Sequence, residues 1–152
     1  MTDQFVGHHI HCFYLCVLAQ LNIQIHLCEL MRKFIRGFGY ALQGIWHATF
    51  TQLNFRVHLL ATLVAAYLGY ALHISANEWQ WVILCVALVL MAELFNTAIE
   101  FLVDLVSPEY NKIAGHVKDM SAGAVLISAI FALATGAIIF LPKLQALIQH
   151  AP

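Results

Sequence analysis

Residues 79–106 read WQWVILCVALVLMAELFNTAIEFLVDLV. Up to Ala92 the stretch is almost wholly apolar, and from there it carries Glu93, Asn96, Glu100 and Asp104 among Leu, Phe, Ile and Val. It exceeds the roughly 20 residues that a helix needs to cross the hydrocarbon core of a membrane. At about 100° per residue, Glu93, Glu100 and Asp104 fall within roughly 40° of one another, and Asn96 lies about 60° to the side. The stretch therefore reads as a membrane helix with one polar stripe.

Ionisable groups inside a membrane are costly, and such residues usually serve a function. The stripe must face protein, water or an ion. Three readings fit it. Polar side chains can join membrane helices, at about 0.6 kcal/mol per contact, which suits one Asn better than two glutamates and an aspartate. A proton or cation pathway is a second reading. The third is a catalytic site for a divalent cation, since carboxylates select hard ions such as magnesium, held together with substrate phosphates.

Two further apolar runs flank this one, from about Val57 to Ile74 and from about Ala122 to Leu141. SANE separates the first pair of runs, and SPEYNKIAGHVKD, with Pro108 ending the helix before it, separates the second. Trp79 and Trp81 stand where interface-seeking aromatics are expected. Arg32, Lys33, Arg36 and Arg56 precede the first span, Lys112 and Lys118 lie between the second and third, and SANE has no Lys or Arg. The positive-inside rule places the N-terminal region and the second loop on the cytoplasmic side. Residues from Met31 to about His58 repeat apolar positions (Phe34, Phe38, Leu42, Ile45) at helical spacing between basic ones, the pattern of an amphipathic helix in the headgroup plane.

Composition agrees. The 152 residues are 62% hydrophobic and 10% charged, where soluble domains carry about 25% charged residues. The formal net charge of −1 provides no basic field for nucleic acid. Cys12, Cys16, Cys28 and Cys85 match no zinc or disulfide spacing and read as apolar fillers. Residues 1–30 differ in character, with four His, three Cys and no Lys or Arg. They are expected to be an atypical extension, either sequence upstream of a start at Met31 or a short extra membrane-associated helix. A metal site at His8, His9, His11 and Cys12 is the least favoured reading, because a second ligand cluster is missing.

Lys118 and Asp119, in GHVKDMSAG at the start of the third span, suit a phosphate–magnesium environment together with Glu109. Read in order, the block AELFNTAIEFLVDLVSPEYNKIAGHVKDMSAGAVL (92–126), RGFGYALQGIWHATF (36–50) and NFRVH (54–58) resemble the prokaryotic diacylglycerol kinase family, which includes undecaprenol kinases. The resemblance covers roughly residues 31–141. It implies an all-α integral membrane protein, three transmembrane helices plus an N-terminal interfacial helix, assembled as a homotrimer with shared active sites in the bacterial inner membrane. The activity implied is transfer of phosphate from ATP, with Mg2+, to the hydroxyl of a membrane lipid.

By the same resemblance, Glu93 is the general base and Asn96 supports it, and Glu100 is a magnesium ligand. Lys118, Asp119, Glu109, Asn111, Lys33 and Tyr40 approach the nucleotide. The family's second metal-ligating glutamate is replaced by Gln52, which keeps an oxygen but no charge. The NFRVH wording leans towards the undecaprenol branch. A noncatalytic membrane protein, either a transporter subunit or an inactive relative, is the alternative from another class.

Overall fold

The structure, a computed structural model, describes the backbone of residues 3–109 and 111–149, and the side chains of residues 24, 26–109 and 111–149. Its elements are α1 (Asp3–Thr51), α2 (Leu53–Ala71), α3 (Ala76–Val106) and α4 (Lys112–Gln149), with no strand among the described residues. The chain forms two compact units, residues 1–44 and 45–152.

The first unit is helical from Asp3 onward and passes through Met31 without a break. Its described side chains are exposed, among them Tyr40 at 69%, and the Phe34 and Phe38 rings meet edge to face at 5.1 Å. The His8, His9, His11 and Cys12 side chains lie outside the described residues.

The second unit holds the last turns of α1 and the helices α2, α3 and α4. The helix expected over Met31–His58 is interrupted: Gln52 takes an extended conformation (φ −105°, ψ 119°). Its N–H donates to the Ala48 carbonyl at 2.9 Å, and its own carbonyl accepts from the Arg56 N–H at 3.3 Å. Gln52 thus closes one helix and opens the next.

The connections also fall elsewhere than the apolar runs suggest. Helix α2 stops at Ala71 instead of running to Ile74. His73 adopts φ 47°, the Ile74 N–H reaches back to the Gly69 carbonyl (3.1 Å) and the His73 N–H to that of Tyr70 (3.2 Å). This pair of bonds is the Schellman pattern that satisfies free carbonyls at a helix end. SANE is mostly helix. The Ser75 hydroxyl accepts from the Glu78 N–H, and the Glu78 carboxylate accepts from the Ser75 N–H at 2.7 Å, so α3 begins at Ala76 under a capping box. Trp79 does not sit at the lipid interface alone; it packs with Ile74, Val82, Ile139 and Phe140 over Gly69.

The expected loop SPEYNKIAGHVKD, by contrast, shrinks. The Asn111 side-chain oxygen accepts from the N–H groups of Ile113 (2.8 Å) and Ala114 (3.4 Å), and α4 starts at Lys112, well before Ala122. Lys118 and Asp119 consequently stand on a helix and not in a loop.

Helices α3 and α4 are each long and apolar enough to cross a membrane. Helix α2, at 19 residues, spans about 28 Å and is diluted at its start by Asn54, Arg56 and His58. Helices α3 and α4 share the most extensive contact in the unit and run antiparallel. Two ion pairs bracket them, Lys118–Asp104 at one end and Lys143–Glu78 (3.3 Å) at the other. About 39 Å of helix separates Glu78 from Asp104, enough to carry both pairs beyond a hydrocarbon core of about 30 Å. Among the described residues the buried apolar side chains are only Ala48, Phe55, Ile74, Val82, Cys85, Val89 and Ile139. Ile127, Leu133 and Ile138 are more than two-thirds exposed, as lipid-facing or subunit-facing residues would be.

The α2–α3 turn gives a direct test. A Cβ at Gly69 would lie 2.8 Å from the Trp79 ring and 3.0 Å from Ile74, so Gly69→Ala should destabilise the detergent-solubilised protein by roughly 1–3 kcal/mol. His73→Gly should stabilise it by about 1 kcal/mol, because a left-handed conformation costs an L-residue that much. Thermal unfolding followed by circular dichroism reads both shifts, and a stabilising Gly69→Ala would contradict the packing.

Candidate active site

The polar stripe of α3 forms a gradient of burial. Glu93 is 2% exposed, Asn96 5% and Thr97 6%, while Glu100 is half-buried and Asp104 exposed. Period-3.6 geometry puts these residues on one side of α3, and α4 packs against that side. Asn96 donates from Nδ2 to Glu100 Oε1 at 3.1 Å, one turn further on. The Ser121 hydroxyl of α4, itself buried, donates to Asn96 Oδ1 at 2.7 Å. The same hydroxyl lies 2.8 Å from the Lys118 carbonyl. One turn beyond Glu100, Asp104 pairs with Lys118. Glu93, Asn96, Glu100, Asp104, Lys118 and Ser121 thus make a continuous polar seam along α3 and α4.

Glu93 differs from the others. Its Oε2 is buried and has no hydrogen-bond partner among the described residues. Buried polar atoms are nearly always paired, and an exception calls for an explanation. His58 of α2 and Glu100 are the ionisable side chains nearest to act on it. His58 also lines an apolar cavity of about 670 Å3 between α2, α3 and α4, walled by Leu60, Ala61, Val89, Phe140 and others.

The remaining expected site residues are not joined to the seam by any hydrogen bond among the described residues. Gln52 is half-buried at the α1–α2 junction, and its side chain makes no capping bond. His47, one turn before it, meets Phe101 of α3 with ring centroids 5.4 Å apart, which brings this junction to the level of Glu100. Asp119 and Glu109 are exposed. The Asn111 side-chain oxygen is occupied at the start of α4. Lys33 and Tyr40 are exposed on α1 in the first unit.

No group of three or more His, Cys, Asp or Glu converges as a metal site among the described residues. The donors that are present, Glu100 and Gln52, are oxygens. That set fits a magnesium ion resting on one or two protein groups and completing its shell with phosphate oxygens and water.

Comparison with known proteins decides the family. The family description "prokaryotic diacylglycerol kinase" matches residues 39–140. The chain belongs to the prokaryotic diacylglycerol kinase family. It is 36% identical to the undecaprenol kinase of Bacillus subtilis over 75% of this chain and 93% of that one. It is 39% identical to the diacylglycerol kinase of a Synechocystis strain, over 85% and 74% respectively. With the diacylglycerol kinase of Escherichia coli K12 the identity is 35%, over 70% and 88%.

Two partners in this family member's seam escape a reading of the stripe alone. Ser121 falls three residues after Lys118, on one helical face, but that spacing has meaning only once α4 is known to begin at Lys112. Asp104 belongs to the stripe, yet its pairing with Lys118 depends on the same start.

The seam predicts unequal stability effects. Asn96→Ala removes the partner of both Ser121 and Glu100 in a buried setting and should cost roughly 1–3 kcal/mol. Asp104→Asn breaks a pair whose side chains are 63% and 36% exposed and should cost less than about 1 kcal/mol. Denaturant titration in mixed micelles ranks the two, and the reverse order would contradict the burial gradient.

Proposed function

We propose that the chain is an ATP-dependent lipid kinase that phosphorylates the hydroxyl of a membrane lipid alcohol, undecaprenol or diacylglycerol, at the cytoplasmic face of a bacterial inner membrane. Family membership supports the reaction class. The observation that carries the mechanism is Glu93, a buried carboxylate whose Oε2 lacks a donor. A lipid hydroxyl is such a donor. It would bond to Oε2, and Glu93 would take its proton as the alkoxide oxygen attacks the γ-phosphorus of ATP. A P–O bond forms to the lipid, the β–γ bridging P–O bond breaks, and ADP leaves with the electron pair. Exclusion of water around Glu93 favours the lipid oxygen over hydrolysis.

Phosphoryl transfer depends mainly on positioning and charge. Asn96 orients Glu100 through the bond from Nδ2. Glu100 and Gln52 would hold magnesium, which when bound neutralises developing charge on the phosphates. Lys118, next to Asp104, supplies a cation at the cytoplasmic end of the seam, and Asp119, Glu109, Asn111, Lys33 and Tyr40 are assigned to the nucleotide. Shared sites in a homotrimer, as the family resemblance implies, would bring in further donors from a neighbouring subunit. In that assembly α2 is the third crossing helix beside α3 and α4.

Purified protein given labelled ATP, magnesium and either undecaprenol or diacylglycerol should yield lipid phosphate. Absence of product with both lipids would refute the proposal. Glu93→Gln should leave the helical content intact and lower the rate by about 10²–10⁴-fold, the usual worth of general base catalysis. A rate within about threefold of wild type would remove Glu93 from that role.

Gln52 gives a second test of the site. Affinity for hard cations rises with ligand charge. Gln52→Glu should therefore lower the magnesium concentration for half-maximal rate, and Glu100→Gln should raise it steeply, because neither ligand would then be charged. A magnesium titration at fixed ATP compares the three proteins. An unchanged midpoint in Gln52→Glu would show that position 52 is not a metal ligand.

A further inference from the structure

We infer that Ser121 is a positioning residue that holds the Glu100 carboxylate in its metal-binding orientation by acting through Asn96. The inference rests on the kinase reading of the seam. Asn96 is 5% exposed and has two polar ends. Nδ2 is engaged with Glu100 Oε1 at 3.1 Å, and Oδ1 has one donor, the Ser121 hydroxyl at 2.7 Å. Without that hydroxyl Oδ1 would be a buried acceptor with no partner, and the amide would turn or swing to find one. Either movement takes Nδ2 away from Glu100. Glu100 is half-buried and has no other hydrogen-bond donor among the described residues. Its orientation therefore depends on a residue that it does not touch.

The Ser121 hydroxyl carries a single proton between two acceptors, Asn96 Oδ1 and the Lys118 carbonyl at 2.8 Å. Through this one group the α4 backbone at Lys118 is tied to the α3 stripe. The same turn of α4 that presents the Lys118 ammonium to Asp104 thus fixes Glu100 on its neighbour. A simple interhelical contact would contribute only to stability. A positioning role also reaches the metal, since removing a group that orients a metal ligand commonly weakens binding by about tenfold or more.

The test uses the full chain in detergent with a non-hydrolysable ATP analogue, and measures Mn2+ binding by electron paramagnetic resonance as the probe of the magnesium site. Circular dichroism checks that each variant is folded; alanine is smaller than serine and favours the helix. Ser121→Ala should weaken Mn2+ binding by about tenfold. In an Asn96→Ala background the same substitution should change it by less than about twofold, because the route through Asn96 is already cut. Two results would overturn the inference and leave the kinase reading standing, provided the wild type still makes lipid phosphate. One is unchanged Mn2+ affinity in Ser121→Ala. The other is an equal loss in both backgrounds. Failure of the wild type both to bind Mn2+ and to make lipid phosphate would overturn the inference and the kinase reading together.

Discussion

Helix α3 has to be apolar enough to cross a membrane and polar enough to carry the stripe of Glu93, Asn96, Glu100 and Asp104. The rest of the unit follows from that conflict. Charge in hydrocarbon is tolerated only where protein or water meets it, so the stripe dictates that α4 lie along it. It also dictates what α4 must contain. Helix α4 is rich in small residues (Gly115, Ser121, Ala122, Gly123, Ala124) where it passes the stripe. Small side chains let membrane helices approach closely and leave backbone and hydroxyl groups within reach. Ser121 meets both needs, since it is small and brings a hydroxyl to Asn96. Outside the hydrocarbon depth the same helix pair can use full ion pairs, and it does so at Lys118–Asp104 and Lys143–Glu78.

Features that depend on composition and period are legible in the sequence. The stripe at Glu93, Asn96, Glu100 and Asp104 is a matter of helical spacing, and its burial follows from the apolar residues around it. The ends of the helices are less legible because single side chains set them. Hydropathy alone places the start of the last span near Ala122, yet Asn111 caps α4 at Lys112. In physical terms, an asparagine oxygen on two N–H groups outweighs the polarity of the residues that follow. Ser75 and Glu78 do the same for α3. The S-x-x-E spacing of SANE is visible, but it reads equally as a polar loop. Gln52 has no such signal, since glutamine is neither a helix breaker nor a favoured cap, and nothing local in the sequence marks its extended backbone. Ser121 is hidden for the same reason as the α4 start on which its register depends.

Under the proposed function, Glu93 and Glu100 would divide the two demands of phosphoryl transfer between them. A proton acceptor for a lipid hydroxyl has to be at a depth the lipid reaches and away from water. A group near magnesium and phosphates has to be open to a nucleotide from the aqueous side. Two helical turns separate Glu93 from Glu100, about 10 Å along the helix axis. Over that distance the stripe passes from a carboxylate 2% exposed to one that is half-buried. Asn96 lies between them, bonded to Glu100 and to α4 but leaving Glu93 Oε2 without a donor. Had a donor of the seam been turned to Glu93, the base would already be occupied. In the proposed mechanism the polar contacts of the seam would hold Glu100 on the ligand side and leave Glu93 open as acceptor, which is the division that a lipid hydroxyl entering from the membrane requires.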